Sequence, residues 1–146
     1  MADHQEASVS LPSTPASVGS ARRYVSETLA QWGLPADSAL GDAVALIVSE
    51  LATNAVLHTR GQSPEFTLRL LLERQETLRV GVTDSHHRLP RRLPAAVQQD
   101  NGRGLAIIRA LTAEFGGALT VVPAGGGKTV WISLGWPDPL ALAASH

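Results

Sequence analysis

The sequence predicts an α+β two-layer sandwich, and three observations carry the prediction. Two helical stretches with apolar stripes come first. Alternating strand-like segments follow them in closely spaced pairs. The turns within those pairs are too short for parallel crossovers, so the sheet is expected to be mixed but mostly antiparallel, with about three helices covering one face.

The elements follow in order. Residues 1–7 read as a polar tail, and residues 137–146 as a C-terminal one, with a single domain over 8–136. Val9 and Leu11 alternate with Ser8 and Ser10 as a short edge strand that Pro12 ends. A helix over Ser17–Trp32 places Val18, Ala21, Val25 and Leu29 on one stripe, and Gly33 closes it. A second helix runs from Ala36 or Asp37 to Thr59 and stops before Gly61. Phe66–Glu73 and Leu78–Asp84 are strands, joined tightly through Arg74–Thr77. Ser85–Asn101 has two prolines and weak periodicity, and loops that long in compact domains usually carry function or are disordered. Gly104–Phe115 reads as a third helix ended by Gly116 and Gly117. Ala118–Val122 and Lys128–Leu134 form a last hairpin.

Composition narrows the chemistry. With no cysteine, disulfides, thiolate metal sites and cysteine nucleophiles are excluded. Any metal must take oxygen or imidazole ligands. A net charge of −1 gives no bulk attraction for nucleic acid or anionic membrane. The longest unbroken apolar run, Ala43–Val48, is far shorter than the ~20 residues of a spanning helix. The N-terminus has neither a basic start nor an apolar stretch, so a cytoplasmic protein without a secretory signal is expected.

Four segments carry candidate chemistry. Glu50, Asn54 and His58 stand at i, i+4 and i+8 on one side of the second helix, beside an apolar stripe. That line supplies a proton acceptor and a hard oxygen ligand, or simply a solvated face. Asp84 ends a strand at the mouth of the long loop, where a carboxylate accepts from a purine amine or forms an Asx turn. Asn101-Gly102-Arg103-Gly104-Leu105 opens the third helix, combining glycines, a cation and the positive end of the helix dipole, as an anion site requires. The stretch Asp84–Arg103 sets Arg88, Arg91, Arg92 and Arg103 against two aspartates, as a basic cover for polyphosphate or a solvated loop. Two near-motifs fail. GxGxxG has Ile107 at its third glycine, and Gly-Gly-Gly-Lys128-Thr129 precedes a β-branched strand rather than a P-loop helix.

Taken in order, these pieces resemble the GHKL, or Bergerat-fold, ATP-binding superfamily, and within it the small anti-sigma factor serine/threonine kinases of actinobacterial type. VSELATNAVLH (48–58) resembles the N box, VTD (82–84) the start of the first glycine box, NGRGLAII (101–108) the second, and GGGKTVWISL the terminal strand box. The resemblance implies a Bergerat-type sheet, ATP and Mg²⁺ as ligands, and phosphorylation of a Ser/Thr of an antagonist protein, sequestration of a sigma factor, or both. It implies Glu50 as general base or water-positioning carboxylate, Asn54 as the Mg²⁺ ligand and Asp84 as acceptor of the adenine amine. Thr129 would support that contact through water. Gly102, Arg103, Gly104 and Leu105 would form the lid hinge and phosphate cradle. The family's first box is Asp-x-Gly-x-Gly, whereas here Asp84 is followed by Ser85-His86-His87-Arg88. A non-catalytic protein-binding module of the same fold is therefore the competing expectation. The resemblance further implies a homodimer, for which Tyr24, Val25, Leu29, Trp32, Trp131 and Trp136 are the aromatic and apolar candidates.

Overall fold

The computed structural model describes residues 4–35, 37–59, 65–84, 106–124 and 127–137. The strands are β1 (His4–Pro12), β2 (Glu65–Glu73), β3 (Thr77–Asp84), β4 (Ala118–Ala124) and β5 (Gly127–Gly135). The helices are α1 (Ala16–Gln31), α2 (Ala39–Thr59) and α3 (106–114). The strands form one sheet in the order β1-β2-β3-β5-β4, and every neighbouring pair is antiparallel. This is the α+β sandwich the sequence predicts, with a sheet that is antiparallel at every pairing among the described residues.

The inner face of the sheet holds the core. β2 alternates strictly, burying Phe66, Leu68, Leu70 and Leu72, which lie in register with Asp84, Val82, Val80 and Leu78 of β3. Ile132 and Leu134 of β5 continue two of those rows. Against them pack Val44, Ile47, Val48 and Leu51 of α2 and Ala21, Val25 and Leu29 of α1. Over Ala39–Leu57, α2 is long and apolar enough to cross a membrane, a property that the run of six does not reveal. Its apolar side is nonetheless spent on the sheet and on α1, as in a core helix.

Local chemistry sets the ends of the helices. Ser38 caps α2 through its hydroxyl, which accepts from the Gly41 N–H at 3.0 Å. The helix therefore starts at Ala39, later than the apolar periodicity alone implies. Asp42 adds negative charge to the first turn, where the dipole favours it. α1 ends in a Schellman motif: Gly33 N–H donates to Ala30 and Leu34 N–H to Leu29. Gly33 has φ +99°, a conformation that a side chain would strain. Leu34 is buried with Leu29 in the core, the apolar contact that accompanies such an end.

Two sequence expectations are corrected. The stretch 1–7 is not all tail, since β1 begins at His4 and pairs His4 with Glu73. Edge-strand pairing uses backbone groups, so exposed His4, Gln5 and Glu6 join it without any apolar alternation. The apolar residues put forward for self-association are largely occupied within the chain. Val25, Leu29 and Trp136 are in the core, and Tyr24 and Trp32 pack against it. The Tyr24 hydroxyl also donates to the Ser8 carbonyl at 3.1 Å, tying α1 to β1. Trp131 alone of the six lies on the face of the sheet turned away from α1 and α2. Its ring covers Gly81, with the guanidinium carbons of Arg69 and Arg79 at 5.6 and 5.0 Å from its centroid.

The β2–β3 turn is the strained point of the sheet. Arg74 and Gln75 both have φ 54°, the sign pattern of a type I′ hairpin turn, which favours Asn-Gly. The Trp136 N–H donates to the Glu76 carbonyl at 2.9 Å and holds the turn in place. Replacing Arg74-Gln75 by Asn-Gly is expected to raise stability by about 1–2 kcal/mol, read as a higher denaturation midpoint at unchanged m. Gly81→Ala should do the opposite. Its methyl would stand 2.6 Å from the Trp131 ring, and overpacking of that kind costs about 1–3 kcal/mol, with a change in Trp fluorescence.

Candidate functional site

β3 ends at Asp84, which is only 7% exposed and is the sole charged side chain that is buried among the described residues. Its place follows from alternation. Val80 and Val82 face the helices, so Asp84 does too, flanked in register by Phe66 on β2 and Lys128 on β5. A carboxylate at that depth has to be matched by donors, and this suits it to accept from an amine.

The chain returns to Asp84 through β5. Sequence passes from β3 to α3 and then β4, yet β5 rather than β4 lies against β3. Gly127 makes the approach possible: a Cβ there would sit 2.1 Å from the Asp84 carbonyl oxygen and 3.0 Å from Oδ1. Only a residue without a side chain fits, and the backbone of β5 closes on the end of β3.

α2 supplies the second set of groups. Glu50 and Asn54 lie one turn apart and are both half-buried, between Ile47, Leu51 and Ala55, which are buried. The helix packs against β3 and β2, on the face of the sheet that Asp84 shares. Asn54 offers one hard oxygen donor. Among the described residues no three His, Asp or Glu side chains gather as a metal cage. This donor set fits Mg²⁺, which takes one or two protein ligands and completes its shell with phosphate and water.

Thr129 does not join Asp84. It is the register partner of Thr83, and the two hydroxyls meet at 2.6 Å on the other face of the sheet. Lys128 occupies the Asp84 side instead. The signal for this was present in the sequence, because Val130, Ile132 and Leu134 fix the inner parity of β5 and so assign 128 to it. Gly102, Arg103, Gly104 and Leu105, the segment Ser85–Asn101 and the side chain of His58 lie outside the described residues.

The fold has counterparts among known proteins. The sequence matches the family model of the histidine kinase-like ATPase domain over residues 11–134. No curated protein matches it. Solved structures similar to it include the histidine kinase domain of the Erythrobacter litoralis EL346 blue-light activated histidine kinase (TM-score 0.52, 22% identity, 93% of this chain and 66% of that one). A second is the Erythrobacter litoralis EL346 blue-light activated histidine kinase (TM-score 0.54, 23% identity, 90% of this chain and 44% of that one). The chain thus spans less than two thirds of either kinase chain. With the family match extending from β1 through most of β5, the chain belongs to the histidine kinase-like ATPase domain family.

Proposed function

We propose that the domain binds ATP with Mg²⁺ and acts as an anti-sigma regulator, phosphorylating a Ser or Thr of an antagonist protein, sequestering a sigma factor, or both. The observation that carries the nucleotide reading is buried Asp84 at the end of β3, on the face of the sheet against which α2, the helix of half-buried Glu50 and Asn54, is packed. Support for the anti-sigma reading is the ordered resemblance of the four sequence boxes to that kinase type.

Each group has a defined task in this reading. Asp84 accepts from the base amine and orients the nucleotide. Asn54 would give its side-chain oxygen to Mg²⁺, which would supply positive charge to neutralise the phosphates. Glu50 takes the proton of the attacking hydroxyl as that oxygen bonds to the γ-phosphorus and ADP leaves. The products are a phosphorylated Ser or Thr, ADP and the proton held on Glu50. Holding these groups on a core helix and a central strand fixes their geometry, which is most of what a protein contributes to phosphoryl transfer.

The glycine-free run Ser85-His86-His87-Arg88 favours a second reading, a protein-binding module with weak or absent ATP binding. Calorimetry separates the two: saturable ATP binding strengthened by Mg²⁺ supports the first, and its absence the second. Asn54→Ala is expected to abolish the Mg²⁺-dependent part of the ATP affinity without altering the circular dichroism spectrum. Glu50→Gln should lower phosphate transfer about 10²–10⁴-fold while ATP affinity stays within about twofold, measured with γ-labelled ATP.

A further inference from the structure

The chain has eleven arginines and a single lysine, and that lysine is the register partner of Asp84 on the inner face of the sheet. Residues directly opposite on antiparallel strands have Cβ atoms about 4.5–5.5 Å apart, so Lys128 is built into the same small area as the buried carboxylate. Gly127 closes β5 onto β3 at this very place, while Thr129 is turned away and held by Thr83. Lys128 is partly buried, and among the described residues the ion pair within 4 Å is the surface contact Arg79–Glu73, not one made by Lys128.

We infer that Lys128 reads the nucleobase jointly with Asp84: its ammonium donates to N1 of adenine while Asp84 accepts from the adjacent exocyclic amine. The inference rests on the nucleotide reading above. The chemistry favours adenine over guanine. Adenine presents an amine donor beside a ring acceptor, matching a carboxylate beside an ammonium. Guanine presents a carbonyl oxygen beside a ring N–H, which sets acceptor against acceptor and donor against donor. Buried polar groups left unmatched are the strongest basis of such discrimination. A lysine suits the place better than an arginine, because a compact ammonium serves one ring nitrogen, whereas a guanidinium fork would engage the carboxylate bidentately.

The test compares ATP, GTP and 1-deaza-ATP, in which N1 is replaced by C–H, by calorimetry on the unaltered protein and on Lys128→Met. The unaltered protein should bind ATP about ten- to a hundredfold more tightly than 1-deaza-ATP, and GTP more weakly than ATP. Lys128→Met should lose a similar factor for ATP, bind 1-deaza-ATP within about twofold of the unaltered protein, and narrow the gap between ATP and GTP. Thermal melting of the variant checks that it folds, and the analogue comparison on the unaltered protein needs no variant. Equal binding of ATP and 1-deaza-ATP by the unaltered protein overturns the inference and leaves the ATP reading standing. An equal loss of both ligands in Lys128→Met does the same, since it places the ammonium on the phosphates. No binding of ATP overturns the nucleotide reading, and this inference falls with it.

Discussion

Everything in the molecule depends on the register of one antiparallel sheet whose inner face must be apolar. Because side chains alternate with period two, a slip of one residue would exchange the faces of an entire strand. The rows Leu68–Val82–Val130 and Leu70–Val80–Ile132 fix that register across three strands. Once they are buried, the polar ends of the strands have no freedom left. Asp84 and Lys128 are carried to the helix side, and Thr83 and Thr129 to the other. The site is thus a consequence of hydrophobic packing several residues away.

α2 performs the matching task from the opposite layer. Its length and apolarity serve the core, yet Glu50 and Asn54 interrupt the apolar sequence one turn apart. Their positions are fixed by Val44, Ile47, Val48 and Leu51, which cannot move without opening the core. Functional groups placed on such an element are held more tightly than groups on a loop, at the expense of a polar line on an otherwise apolar helix.

Much of this was legible in the sequence, for identifiable reasons. The alternation of Phe66–Leu72, the helical stripe of α2 and the glycines after α1 and α3 each report a local rule that the fold obeys. The sandwich class and the elements followed from them. What stayed hidden depended on tertiary pairing. Nothing in His4–Ala7 advertises a strand, because an edge is stabilised by its neighbour's backbone. The I′ turn at Arg74-Gln75 lacks its usual residues, since Trp136 supports it from just beyond the end of β5. Assigning Thr129 to the Asp84 side followed the motif's residue type rather than strand parity, and parity decided the outcome.

The early start of β1 bears on how the protein is handled. Along its whole length β1 covers the hydrogen-bonding edge of β2, the strand that contributes Phe66, Leu68, Leu70 and Leu72 to the core. β1 itself is a poor template for further association, being exposed, polar and ended by Pro12. Trimming the first dozen residues as a dispensable tail would exchange that blunt border for the long, leucine-rich flank of β2. Unpaired strands of that kind recruit copies of themselves, so the shortened protein would be expected to precipitate or pair edge to edge.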